Sequence, residues 1–170
     1  MIELKEWERW GGTFYDVHLP RVFTFRCDDP KLIRERFNWQ LLLYKDGPCA
    51  DGNGSHHFFG TNAEVDTALE SPNGFVVYVR ENRDSFGNWR DAVYEVQPTG
   101  EVDIWIARLL LVNTGHPDRN HHLRFELKSL DGKTLRVIQY IRDESGARQQ
   151  REKTITLFDK DSQVRPKHWC

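Results

Sequence analysis

Alternation of apolar and polar side chains around an Asp-Gly turn constrains this chain more than any other feature of its sequence. Apolar residues occupy every second position of residues 123–127, and residues 134–142 are rich in β-branched and aromatic side chains. Asp131-Gly132, between the two runs, supplies the positive φ angles of a tight hairpin turn. The pattern predicts two antiparallel strands, which a second turn connects to a last strand over residues 148–158.

Similar punctuation by Gly, Pro, Asn or Asp divides the rest of the chain into strand-like runs. These runs cover residues 12–18, 21–27, 37–44, 55–59, 75–81, 89–96 and 102–112. About ten strands, at the usual 5 to 6 residues each plus turns, consume nearly the whole chain, which favours a closed barrel over a sandwich. We therefore expect an all-β fold, a closed antiparallel barrel of about 8–10 strands that encloses one small ligand.

Helices are predicted to be few and short. Asp29 is a suitable N-cap, and the proline after it suits a first helical position, so a short helix that ends near Arg36 is expected. Thr61 and Glu64 have the spacing of a capping box, which predicts a second helix over residues 63–69.

Length and charge indicate one domain that is not a general nucleic-acid binder. The 170 residues are expected to form a single domain over 1–160 with a polar tail over 161–170. The 24 Lys and Arg residues face 26 Asp and Glu residues, for a formal charge of -2. Binding to nucleic acid through bulk charge needs a clustered cationic surface, so we expect no nucleic-acid partner.

The chain also lacks the usual signs of a membrane or secreted protein. No run approaches the roughly 20 apolar residues of a membrane-spanning helix, and the amino terminus is acidic where a signal peptide would be basic. The three cysteines, Cys27, Cys49 and Cys170, are an odd and widely spaced set, which is more typical of reduced thiols than of a disulfide framework. We therefore expect a cytoplasmic location.

Both ends of the chain resemble parts of lipocalin-like (calycin) barrels. Residues 7–15 are similar to the Trp/Gly signature of the first calycin strand, although Trp10 here precedes Gly11 rather than following a glycine. Residues 123–144 resemble the last hairpin of cyanobacterial and algal lipocalin-like domains related to phycobilin lyases. The resemblance implies that Trp10 closes one end of the barrel and that Arg142 packs near it.

The resemblance also implies an interior site for an apolar or conjugated ligand, for example a tetrapyrrole, held by a few polar groups. Tyr78 and Arg80 share a strand face by period two, as do Tyr140 and Arg142, so each pair can present a ring beside a cation that binds a carboxylate. The candidate ligand-binding residues are Trp10, Trp39, Phe58, Tyr78, Arg80, Tyr94, Trp105, Tyr140 and Arg142.

Catalytic motifs are scarce. There is no Gly-rich phosphate loop and no nucleophile elbow, so an enzyme of this kind would fold a reactive substrate in a dry cavity, as a lyase or an isomerase/cyclase. The acid, base and anion-stabilising candidates are Tyr78, Glu95, Tyr140 and Arg142. The histidines at 56–57 and 116–122 are interpreted as polar loop residues, and no metal site or cofactor is predicted.

Three functions are consistent with the sequence. The first is a carrier or chaperone that binds a small hydrophobic or conjugated molecule. The second is an enzyme on the same barrel. The third is an interaction module without a pocket, anchored by exposed aromatics such as Trp89 or Trp169. The sequence leaves open whether copies of the chain associate.

Overall fold

A computed structural model describes residues 2–9, 20–37, 63–82, 87, 89–115, 122–131 and 133–157. These residues form nine strands and one helix. The elements are β1 (Ile2–Arg9), β2 (Pro20–Cys27), α1 (Pro30–Arg36), β3 (Ala63–Ser71), β4 (Gly74–Asn82), β5 (Trp89–Pro98), β6 (Ile104–Gly115), β7 (His122–Asp131), β8 (Thr134–Arg142) and β9 (Arg148–Thr156).

The strands form two antiparallel sheets. The first sheet has six strands in the order β1-β2-β6-β5-β4-β3, and the second has three in the order β7-β8-β9. The hairpin is present, but Asp131 is the last residue of β7 and pairs with Thr134, so it lies in the strand and not in the turn, as the Asp-Gly prediction had it. Strand β8 continues into β9 through a turn that pairs Arg142 with Arg148. The predicted carboxy-terminal meander is confirmed.

The first sheet is the middle of three layers. Val76 and Val93 lie in one buried cluster with Phe125 and Val137, so the second sheet packs on this face. The opposite face joins a separate cluster that includes Phe37 at the end of α1. The central strands β4 and β5 are therefore buried on both faces.

The prediction of a closed barrel is not met by the described residues, in which neither sheet closes on itself. The reason is visible in β4, where residues 75–79 are apolar without interruption. Such a run is typical of a strand covered on both faces, whereas a small barrel leaves one face of each strand in water. Counting strands alone could not distinguish the two architectures.

One of the two predicted helices is confirmed. The Asp29 carboxylate accepts a hydrogen bond of 3.0 Å from the backbone N of Lys31, and Pro30 begins the helix that ends at Arg36. The predicted helix over residues 63–69 is wrong.

Those residues form β3, which pairs with β4 through a two-residue turn. Gly74 begins β4, and a Cβ there would lie 1.9 Å from the carbonyl oxygen of Val96. Only a glycine lets the backbone of β4 come this close to the carbonyl oxygen of Val96. The hydrogen bonds that β3 makes with β4 outweigh the local capping signal, so residues 63–69 form a strand and not a helix.

Other predictions fall on residues that the structure does not describe. The predicted strands at 12–18 and 55–59 lie there, as does the polar tail at 161–170. So does most of the predicted strand at 37–44, of which only Phe37, the C-cap of α1, is described. Within the described ranges no helix has the length and apolar character needed to span a membrane.

Candidate functional site

Four strands bring polar side chains together between the two sheets. We call Tyr78, Arg80, Asp91, His122 and Gln139 the inter-sheet polar cluster. Period two places the first two on the face of β4 that meets the second sheet, and β5 carries the aspartate in register with Arg80. The histidine begins β7, and the glutamine lies on β8.

Asp91 is the centre of this cluster. Its carboxylate is fully buried and accepts hydrogen bonds from Tyr78 Oη at 2.7 Å and from Arg80 Nε at 2.9 Å. A third contact joins it to His122 Nε2 at 2.8 Å. Burying a carboxylate costs free energy unless it is paired and hydrogen-bonded. Tyr78, Arg80 and His122 supply these interactions to Asp91.

His122 is held through both ring nitrogens. The side-chain amide of Gln139 lies 2.9 Å from Nδ1, and the carboxylate of Asp91 lies 2.8 Å from Nε2. Because the carboxylate accepts, Nε2 carries a proton that it donates to Asp91. Both ring nitrogens therefore have partners inside the protein.

Tyr78 links the two sheets through its hydroxyl. This group donates to Asp91 and accepts a hydrogen bond of 3.1 Å from the backbone N of Phe125. Burial, together with the negative charge of Asp91, raises the pKa of Tyr78 far above its ordinary value. The phenol therefore stays protonated and serves as a fixed donor.

Arg80 reaches from the cluster to the surface. Its side chain is 32% exposed, and its Nη2 donates to the carbonyl oxygen of Leu123 at 2.8 Å. Partial burial lowers the pKa of Arg80, but the charge of Asp91, the hydrogen bond to it and the nearby Tyr78 and Asp66 together outweigh this effect, and the net pKa is raised. The guanidinium therefore stays charged, and within the described residues its Nη1 makes no hydrogen bond.

Trp89 lies beneath this guanidinium. The Arg80 Cζ lies 5.8 Å from the centroid of the indole ring, within the range of a cation–π contact. The ring packs directly on Gly115, where a Cβ would lie 1.9 Å from it. Trp89 Nε1 is buried and has no hydrogen-bond partner among the described residues. We call the pair the Arg80–Trp89 mouth, since the partly exposed guanidinium lies over the indole ring at the edge of the cluster.

Glu95 lies on the same face of β5 but at the other end of the inter-sheet space. Its carboxylate is buried and lies 3.5 Å from Arg108 Nη2, which also approaches the carbonyl oxygen of Thr156. Burial lowers the pKa of Arg108. This ion pair is separated from Tyr78 by the apolar residues of the cluster around Val93.

Two further candidates lie on the opposite face of the first sheet. Tyr94 is buried beside α1, with its ring centroid 5.4 Å from that of Phe37. Burial raises the pKa of Tyr94. Trp105 donates from its indole nitrogen to the carbonyl oxygen of Cys27 at 3.2 Å and packs near Phe75. Neither side chain reaches the inter-sheet polar cluster.

Tyr140 and Arg142 lie on the outer face of the second sheet. Gln139 points inward to His122, so its neighbour Tyr140 points outward by period two, and its hydroxyl donates to Glu126. This hydrogen bond lowers the pKa of Glu126 and raises that of Tyr140. The four proposed catalytic residues are thus not brought together, since Tyr78 and Glu95 lie between the sheets.

The remaining predicted ligand residues, Trp10, Trp39 and Phe58, lie outside the described residues. So do the histidines at 56–57, 116 and 121. In the described ranges no group of three or more His, Cys, Asp or Glu side chains could hold a metal ion.

Sequence reasoning missed Asp91 and Gln139, and it treated Trp89 as a surface anchor. The interpretation of His122 as a polar loop residue is wrong, since this histidine begins β7 and is buried. A signal for the aspartate was present, because it is a lone carboxylate beside the apolar run at 92–94. Its spacing of two from Trp89 and from Val93 places it on one strand face with them. The histidine and glutamine had no such signal, since their meeting depends on how the two sheets stack.

Comparisons with protein families, with curated proteins and with solved structures found no match for this chain.

Proposed function

We propose that this protein binds a small planar molecule that carries a carboxylate, and that it acts as a carrier or chaperone for that molecule. The observation that supports this proposal is the Arg80–Trp89 mouth. A charged guanidinium with one open edge lies over a flat ring whose indole N–H is buried without an acceptor. The guanidinium is partly exposed and can donate to a carboxylate from solvent, whereas the indole N–H is packed against Gly115 and lies out of reach of a ligand.

The chemistry of the mouth favours a carboxylate over a neutral acceptor. Guanidinium–carboxylate hydrogen bonds are charge-assisted and about twice as strong as neutral ones. Asp91 already fixes Nε of Arg80, and the carbonyl oxygen of Leu123 fixes Nη2, so the side chain needs little further ordering when a ligand binds. The indole ring offers an apolar surface to the body of the ligand.

The calycin resemblance stays a prediction. It suggests a tetrapyrrole, which combines a flat conjugated ring system with carboxylate side chains and so suits the same mouth. The interior of a closed barrel is not part of the proposal, since the mouth lies at the edge of the space between two open sheets.

The enzyme alternative draws no support from the described residues. Both nitrogens of His122 are engaged, and the raised pKa of Tyr78 makes its phenol a poor proton donor or base near neutral pH. The four candidate catalytic side chains also lie in separate places, so they cannot act on one substrate.

A matched pair of probes tests the proposal. Naphthalene-2-carboxylate and naphthalene-2-carboxamide have the same flat body and differ in charge, and their dissociation constants can be measured by calorimetry. We expect the carboxylate to bind at least about tenfold more tightly, which corresponds to roughly 1.4 kcal/mol. Equal affinities for the two probes would contradict the proposal.

Two tryptophan variants locate the site. Trp89→Leu removes the ring that packs under the Arg80 guanidinium, so the carboxylate should bind several-fold more weakly. Trp105→Leu removes an indole ring from the opposite face of the first sheet and serves as the matched control. Equal effects of the two substitutions would place the ligand elsewhere.

A further inference from the structure

Strand β9 differs from every other strand whose burial the structure describes throughout. Residues 148–154 are all exposed. Three of them, Arg148, Arg151 and Lys153, are cations, and they make no hydrogen bond or ion pair with the described residues. One side of β9 pairs with β8, and no described strand pairs with the other. The strand is therefore an exposed, positively charged sheet edge.

The register between β8 and β9 shows why side chains on both faces of β9 are exposed to solvent. Arg151 pairs with Gln139 and Lys153 pairs with Val137, so these cations share the inward-facing side of the second sheet. Their partners on β8 are covered by the first sheet, but the two cations are exposed. The first sheet therefore leaves residues 148–154 of β9 uncovered, while Ile155 and Thr156 at the end of the strand still contact it.

The two faces of β9 differ in charge. Glu152 lies on the outer face, where its carboxylate forms an ion pair with Arg136. Arg148 on that face is in register with Arg142, so cations stand opposite each other there. The inward face carries Arg151 and Lys153 at consecutive alternate positions with no carboxylate of β9 between them.

We propose that β9 binds an extended acidic segment of another protein, which adds a fourth strand to the second sheet. A sheet edge offers unpaired backbone N–H and C=O groups, and an added strand satisfies them along its length. Since side chains of a strand alternate between faces, carboxylates at every second position of the partner would meet Arg151 and Lys153. This site is independent of the Arg80–Trp89 mouth.

The positive charge of β9 favours an acidic segment over a second copy of the same strand. Cations on an edge strand normally prevent two copies from pairing, because like charges would lie side by side. The same cations attract an acidic strand. The whole chain has a formal charge of -2, so the positive charge of β9 is a local feature and not a consequence of a basic protein.

The test uses a short peptide of sequence TEVEVET, whose three glutamates lie on one face when it is extended. Binding is followed by the amide shifts of the full-length protein in ¹H–¹⁵N NMR spectra. We expect the largest shifts within β9 and an affinity that falls as salt is raised. A peptide of the same composition whose glutamates no longer alternate should bind at least about fivefold more weakly. Shifts centred elsewhere, or no binding, would overturn the proposal.

Matched variants of two exposed arginines test the face that is used. Arg151→Gln should weaken the peptide about fivefold, and the double variant Arg151→Gln with Lys153→Gln should weaken it more than about tenfold. Arg148→Gln removes an equal charge from the other face and should change the affinity less than about twofold. Because these side chains are exposed, the variants should keep the spectrum of a folded protein. Equal losses for Arg148→Gln and Arg151→Gln would refute the assigned face.

Backbone pairing is tested separately from charge. TEVEVET with N-methyl groups at alternate positions keeps its carboxylates but cannot pair along one edge, so it should not bind. Vesicles with 30% phosphatidylserine and a single-stranded thymidine 12-mer provide other anionic surfaces. Undiminished binding of the methylated peptide, or tighter binding of vesicles or DNA than of TEVEVET, would overturn strand addition.

Discussion

The same contact, a tyrosine hydroxyl that donates to a carboxylate, occurs twice in this protein in opposite surroundings. Tyr78 donates to Asp91 between the two sheets, where both side chains are fully buried. Tyr140 donates to Glu126 on the outer face of the second sheet, in contact with water. Hydrogen bonds and ion pairs exchange with water at the surface, whereas a buried polar group that loses its partner pays its full desolvation cost. We therefore expect the buried pair to contribute much more to the free energy of unfolding than the surface pair.

Replacing the buried carboxylate should have the largest effect. Asp91→Asn leaves the charge of Arg80 without its anion, so we expect a loss of about 3 to 5 kcal/mol in the free energy of unfolding. Urea unfolding followed by circular dichroism measures this loss. Glu126→Gln is the matched surface substitution, and its urea midpoint should be close to that of the original protein. Equal shifts for the two variants would contradict the difference in burial.

Removing the buried hydroxyl should have a smaller effect. Tyr78→Phe takes one donor from Asp91 and one acceptor from the backbone N of Phe125, so a loss of about 1 to 3 kcal/mol is expected. Tyr140→Phe serves as its control, with no measurable change in the urea midpoint. The comparison fails if Tyr140→Phe destabilises the protein as much as Tyr78→Phe.

Altering the packing of the Arg80–Trp89 mouth without changing a charge should lower the free energy of unfolding by no more than Tyr78→Phe does. Gly115→Ala places a Cβ against the Trp89 ring and forces the indole to move, for an expected loss of about 1 to 2 kcal/mol. The emission spectrum of Trp89 should shift as the ring moves. Gly146→Ala, in the turn before β9, is a useful comparison, because nothing lies within 4 Å of its Cβ and only its positive φ opposes the change. A normal emission spectrum in Gly115→Ala would show that the close packing is not required.

The smallest expected effect is the pH dependence of stability that comes from the surface pair, Tyr140 and Glu126. The pKa of Tyr140 is raised by its bond to Glu126, so the stability from this bond is present below the ordinary tyrosine pKa and is lost as pH rises through the raised value. The lowered pKa of Glu126 acts in the acid range, where its contribution is lost as pH falls through that lowered value.

Absorbance near 295 nm can distinguish the two tyrosines. Tyr140 should ionise reversibly in the folded protein, and Glu126→Gln should bring its pKa back toward the ordinary value. Tyr78 should ionise only when the protein unfolds in alkali, because burial keeps its phenol protonated. An unchanged titration curve in Glu126→Gln would contradict the assigned cause.

Part of the candidate site could be predicted from the sequence. The spacing of Tyr78 and Arg80 placed both on one strand face, and the structure brings them to one carboxylate. The same rule was applied to Tyr140 and Arg142, but period two does not say which face of a strand is inside. Since Gln139 rather than Tyr140 faces the first sheet, the two tyrosine–arginine pairs lie on different surfaces.

The sequence alone therefore determined those elements that depend on interactions between residues close together in the chain. The alternation of apolar and polar residues predicted the hairpin of β7 and β8, and the carboxylate of Asp29 with the following proline specified where α1 begins. Tertiary structure decided the rest. Strand pairing turned residues 63–69 into β3 despite a capping signal, and the stacking of two open sheets brought Asp91, His122 and Gln139 together. These contacts join residues far apart in the chain, and their free energy comes from burial that exists only once the layers have packed.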